Sequence, residues 1–224
     1  MRSLRFALLA ASLVATAVST PAFASPTDPK SGVEYVTLAQ PQPVQATGKK
    51  VEVIEFFMYH CPHCNALEPQ FEQWVKKQGD NIVLKRIHLT AGGPTDPEAH
   101  LYLTLEALGK VDEMHAKVFK AIHQDRIRMK DDATVIDWVS KNGIDRATFT
   151  SAWNSFGVMT KLRRLPALID AYKVDGAPTV VIDGKYMTSP ATVYNTVKAG
   201  NENQLFTATL QVMDALVAKA AKTK

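Results

Sequence analysis

The chain of 224 residues is 46% hydrophobic and 21% charged, with 26 Lys and Arg against 22 Asp and Glu. That length and apolar content suit one well-buried core, or one domain carrying a sizeable insert. A formal net charge of +4 gives no ground for nucleic acid as a partner.

Residues 1–5 carry two positive charges and no acid, an apolar run follows over 6–18, and Ala22-Phe23-Ala24 supplies an A-x-A site. The pattern predicts a secretory signal peptide cleaved after Ala24. Its apolar run is well short of the roughly 20 residues that span a bilayer. Cleavage leaves 24 basic residues against 22 acidic ones, so part of the basic balance belongs to the signal. Residues 26–32 read as a loose leader, 33–38 as a short strand and 41–50 as a turn-rich connector. The stretch 51–59 is β-branched and aromatic, and apart from Glu52 and Glu55 it is apolar on both alternating faces. A strand covered on both sides looks like this. Beyond Asn65 the period changes: Leu67, Phe71, Trp74 and Val75 share one helical face, with Pro69 inside and expected to kink it. Residues 82–89 read as a second core strand.

Residues 95–173 are helical in pattern. One helix opens at Asp96-Pro97 and closes at Gly109, and a second covers 111–124. A third is capped by Asp132 and ended by Asn142-Gly143, and a fourth is capped by Asp145. A fifth covers 158–172 with Pro166 inside. Trp153 and Phe156 read as core of this block, with lining of a surface groove as the lesser reading. Strand character returns at 179–182, Asp183-Gly184 is a hairpin turn signal, and 185–188 is the return strand. An amphipathic helix over 205–220 closes the chain. The order β, β, α, β, helical block, β, β, α predicts one α/β domain, residues 25–93 and 174–224, interrupted by a helical insert over 94–173.

Cys61 and Cys64 are the only cysteines and follow directly on the 51–59 strand. Export would permit a stable disulfide, but a bridge over so short a loop restrains little chain entropy, so chemistry explains the pair better. A metal site using His60 and His63 would need further ligands from elsewhere to complete a tetrahedron. Cys64 lies on the inward face shared with Leu67; Cys61, in the first turn, is expected to be the exposed thiol. Disulfide exchange needs a thiolate, and a free cysteine at neutral pH is only a few per cent ionised. At a helix start, unpaired N–H groups and the positive end of the dipole favour the thiolate, by up to ~2 kcal/mol. The Cys64 amide can add a hydrogen bond, and His63 can add another donor, or positive charge when protonated.

The segments EFFMYHCPHC (55–64), NGIDRATFTSAWNSF (142–156) and GAPTVVIDGKY (176–186), in this order behind a signal peptide, resemble the DsbA family of the thioredoxin superfamily. The resemblance covers nearly the whole mature chain. It implies an α/β, thioredoxin-like fold with an inserted helical domain. The implied activity is that of a periplasmic thiol:disulfide oxidoreductase. Such a protein donates its Cys61–Cys64 disulfide to unfolded exported proteins with free cysteines, through a mixed disulfide at Cys61. Pro62 and His63 form the dipeptide between the thiols. No cofactor is implied beyond the disulfide itself; quinone enters only through a DsbB-type membrane partner that reoxidises the pair. A monomer with no nucleic-acid partner is expected. Pro178 is expected to be cis and to pack beside the cysteines, with Ala177 presenting its backbone to an extended substrate and His60 at the same rim. Ala177 stands where valine is expected, and Tyr59-His60 replaces a pair of aromatics. Glu55 reads either as a strand-end carboxylate reaching water or a lysine, or as the family's buried acid assisting proton transfer at Cys64. His88, His100, His115 and His123 read as packing or surface residues. The alternatives are a reductase or isomerase of the same fold, or a metal-binding module; no segment suggests the dimerisation domain of DsbC-type isomerases.

Overall fold

The structure, a computed structural model, describes residues 25–91 and 93–224; the expected signal peptide lies outside the described residues. In chain order the strands are β1 (Val36–Thr37), β2 (Val51–Phe57), β3 (Ile82–His88), β4 (Thr179–Ile182) and β5 (Tyr186–Thr188). They form one sheet in the order β1-β5-β4-β2-β3. β2 runs parallel to β3 and antiparallel to β4, and β5 runs antiparallel to both β4 and β1. The helices are α1 (Pro62–Gln78), α2 (Pro97–Ala107), α3 (Val111–His123), α4 (Asp132–Lys141), α5 (Arg146–Trp153), α6 (Phe156–Tyr172), α7 (Pro190–Tyr194) and α8 (Glu202–Ala221). Five of them, α2 to α6, lie between β3 and β4, which gives the thioredoxin-like α/β fold with a helical insertion.

β2 is paired on both edges and all seven of its residues are buried. Its alternating side chains feed two cores. Val51 and Val53 pack with Phe71 and Trp74 of α1 and Phe206 and Leu216 of α8. Ile54 and Phe56 join the helical block, with Leu101, Phe149 and Leu165. Each such burial is worth about 1.5–3 kcal/mol. The 41–50 connector is pinned to the β4–β5 turn, where the Gln42 amide donates to the Gly184 carbonyl at 2.8 Å. Gly184 has φ 61, and a Cβ there would collide with the Gln42 carbonyl oxygen, so both conformation and space demand glycine.

Several boundaries differ from the sequence reading. Of residues 33–38 only Val36–Thr37 forms strand, at the sheet edge. α1 runs without interruption through Pro69. α4 is capped by Asp131 rather than Asp132, because Asp131 holds the extended backbone a cap needs and accepts from the Thr134 amide at 2.8 Å. α6 begins at Phe156, capped by Ser155. Trp153 is core, but Phe156 is 83% exposed. As the first residue of α6 it precedes the inward stripe of Val158, Leu162 and Leu165. The short helix α7 had no periodic signal, and α8 starts earlier than expected, at Glu202, behind the cap of Asn201.

Candidate active site

The chain leaves β2 at Phe57, turns through 58–60 and enters α1 with Cys61 as its N-cap and Pro62 in the first turn. No acidic residue occupies that turn, so nothing on α1 itself competes for the positive end of the dipole. Both cysteines are free thiols. The Cys64 amide donates to Cys61 Sγ at 3.3 Å. The Cys61 thiol lies well below the ordinary range, at about 6. The hydrogen bond from the Cys64 side chain is the main cause; the amides of Cys64 and His63 and the charge of His63 add to it against the opposing effect of burial. Cys64 moves the other way, well above the ordinary range. Its bond to Cys61 and its burial raise it most, with the charges of Cys61 and Glu55 adding to them.

Two expectations for this turn need adjustment. Cys61 is the more exposed of the two thiols, as expected, but only narrowly, at 6% against 1% for Cys64. The loop before β4 covers it, and its Sγ lies 3.5 Å from the Ala177 carbonyl oxygen. The Ala177–Pro178 peptide there is cis, as the resemblance implied. The His63 ring does not turn to the sulfur. Its Nδ1 meets Glu202 Oε1 of α8 at 2.5 Å, leaving the His63 backbone amide and the charge of the ring to act on Cys61.

Beneath the thiols lies a buried ionic cluster. Glu55 of β2 stands in register with Arg86 of β3. Arg86 Nε donates to Glu55 Oε2 at 2.8 Å, and its Nη2 donates to Glu68 Oε1 of α1 at 2.8 Å. Glu55 is therefore neither at a strand end nor paired with a lysine; it is 1% exposed and tied to an arginine. Burial pushes both Glu55 and Glu68 up to about 7. Burial works against the charge on Arg86, yet the two carboxylates outweigh it and hold its pKa above the ordinary value. Glu68 was detectable as an acid four residues beyond Cys64 on the inward face of α1. The Glu55–Arg86 register carried no sequence signal.

The histidines read as packing residues fix the turn before Cys61. His88 Nε2 accepts from the Tyr59 amide at 3.0 Å, so its Nδ1 donates to the Leu89 carbonyl at 2.7 Å. His123 donates to the Tyr59 carbonyl at 2.8 Å, and His115 Nδ1 meets the Tyr59 hydroxyl at 3.0 Å. Burial lowers His88 and His115 to about 4, so both are neutral around pH 7. His100 instead stacks on Trp153, with ring centroids 3.5 Å apart. Glu98 of α2 accepts from the His60 backbone amide at 3.1 Å and meets its Nδ1 at 2.6 Å, a bond that raises the His60 pKa.

Two hollows flank the thiols. A groove of about 680 Å³ is lined by His63, Ala177, Pro178, Tyr194, Glu202 and Phe206 among others. His60, expected at the same rim as Ala177 and Pro178, faces a separate cleft of about 870 Å³ with Glu98, Arg126 and Arg128. Its bond to Glu98 holds it toward α2, away from the groove.

A low-pKa thiol at a helix N-terminus, a buried partner thiol and a thioredoxin-like sheet define a thiol:disulfide oxidoreductase. A model of the family described as "DSBA-like thioredoxin domain" matches residues 95–199. The thiol:disulfide interchange protein DsbA of Bordetella parapertussis is 39% identical over 96% of each chain. That of Pseudomonas syringae is 37% identical over 86% of this chain and 88% of its own. The crystal structure of Pseudomonas aeruginosa DsbA superposes with a TM-score of 0.74 at 34% identity, covering 86% of this chain and 96% of that one. The chain belongs to the DsbA family.

Proposed function

We propose that the chain is a periplasmic thiol oxidase that donates a Cys61–Cys64 disulfide to exported proteins with free cysteines. The observation that carries this reading is the opposed displacement of the two thiols, Cys61 down to about 6 and Cys64 upward. A substrate thiolate attacks Cys61 Sγ; the Cys61–Cys64 bond breaks, and its electron pair goes to Cys64, which takes up a proton. A second substrate thiolate then attacks the substrate sulfur of the mixed disulfide. Cys61 departs as a thiolate, and the substrate carries away the new bridge. Two electrons have moved from substrate to the cysteine pair. A low-pKa thiol leaves faster, so the second step favours Cys61 as the leaving group.

Glu55, at about 7 and near enough for its charge to raise Cys64, suits the proton transfer to and from Cys64, with Arg86 holding it in place. Ala177 beside Cys61 suits backbone pairing with an extended chain lying in the groove. In this reading 25–93 and 174–224 carry the redox site, and 94–173 supplies the helices that brace the turn before Cys61. Reoxidation falls to a quinone-linked membrane partner of the DsbB type. The signal-peptide pattern supports the periplasm, and among the described residues no helix is long and apolar enough to cross a membrane.

The test mixes oxidised protein with a reduced two-cysteine peptide. One peptide disulfide should form for each protein dithiol produced, and Cys61→Ser should abolish the transfer. Cys64→Ser, given the peptide as a disulfide, should accumulate a covalent complex through Cys61. A peptide left reduced beside protein left oxidised would refute the oxidase reading.

A further inference from the structure

We infer that the cleft beside His60 binds acidic stretches of substrate chain, on the opposite side of Cys61 from the Pro178 groove. This rests on the oxidase reading above. Between α3 and α4, residues 126–130 run outside helix and strand, and their sides alternate. Arg126, Arg128 and Lys130 are exposed, Ile127 is half-buried, and Met129, 2% exposed, anchors the segment. Arg128 and Lys130 therefore share one side at two-residue spacing, about 7 Å in extended chain, and Arg126, at φ 60, sits on the turn that leads into them. Together with His60 and Glu98 they line the cleft of about 870 Å³.

Cations outnumber acids in the cleft lining: Arg126, Arg128 and Lys130 stand against Asp96 and Glu98. Among the described residues, Arg126, Arg128 and Lys130 make no ion pair or side-chain hydrogen bond. Lys120, in the last turn of α3, is by contrast paired with Asp125. The acids in the wall are already engaged: Glu98 holds His60 at 2.6 Å, and Asp96 caps α2 through the amides of Glu98 and Ala99. The amides of Arg128, Met129 and Lys130 also have no backbone partner among the described residues. Arg128 and Lys130, at alternate positions on a stretch whose amides are unpaired, with Arg126 beside them, match an extended peptide with carboxylates at alternate positions. His60 joins the cleft directly to Cys61, so a chain joined at Cys61 could continue into it. The concave shape and this continuity favour a peptide over an anionic membrane, which would meet a flat or convex patch.

The test uses two labelled peptides without cysteine, one with Asp and one with Lys at alternate positions, titrated against the protein at low salt. The Asp peptide should bind about tenfold more tightly, and the difference should shrink as salt is raised. The combined variant Arg126→Gln, Arg128→Gln, Lys130→Gln should remove it, and Arg128→Glu alone should shift the preference toward the Lys peptide. Equal binding of the two peptides, or a preference unchanged in the triple variant, would overturn the proposal. So would a triple variant that keeps the Asp preference but loses binding to phosphatidylglycerol vesicles. Neither peptide can exchange disulfides, so failure here is separate from failure of the oxidase reading.

Discussion

Two sulfur atoms three residues apart hold their protons with very different strength, and the difference is built from short-range contacts. The Cys64 side chain contributes most to stabilising the Cys61 thiolate; the two amides follow, and the His63 charge comes last. Cys64→Ala should therefore raise the Cys61 pKa by more than His63→Ala does, because the histidine variant keeps both amides and the thiol donor. Thiolate absorbance followed against pH would check this; a larger rise in His63→Ala would mean that the ring charge dominates. The thiolate-favouring helix start was legible in the sequence, since an N-cap position depends on neighbours along the chain. The Glu202 contact that turns the His63 ring away was not, because it joins residues 139 apart.

Three elements are clamped together by one guanidinium. Arg86 reaches from β3 to Glu55 on β2 and Glu68 on α1, directly behind the turn that carries the thiols. Removing one partner of a buried ionic cluster leaves charge uncompensated and costs about 3–5 kcal/mol. Arg86→Met, which keeps much of the apolar stem, should destabilise the protein by that amount in urea unfolding. A change below about 0.5 kcal/mol, the scale of an ordinary surface substitution, would show that the cluster contributes no stability. Elements with local signals were readable: the caps at Asp96 and Asp145, the Asp183-Gly184 turn, and the doubly apolar β2. What escaped depended on pairing across the sheet or on exposure at a junction, as with the Glu55–Arg86 register, the edge strand cut to Val36–Thr37, and Phe156. The choice between Asp131 and Asp132 as cap turned on backbone angles that two adjacent acids do not reveal.

Over the whole molecule, the stabilised thiolate ties the redox state of the pair to the stability of the fold. A Cys61 held at about 6 when folded, against the ordinary 9.0, binds fewer protons folded than unfolded between those values. Its contribution is fully present above pH 9, shrinks as pH falls and is lost below about 6. At pH 7 it amounts to about 1 kcal/mol, and only the dithiol form possesses it. A disulfide across so short a loop restrains little unfolded-chain entropy in return. The most direct measurement is denaturant unfolding of the dithiol and disulfide forms side by side from pH 6 to pH 9. The dithiol form should be the more stable at pH 7, with its advantage growing as pH rises. A disulfide form that is more stable at pH 7, with a gap that does not change with pH, would contradict a folded site built to hold the Cys61 thiolate.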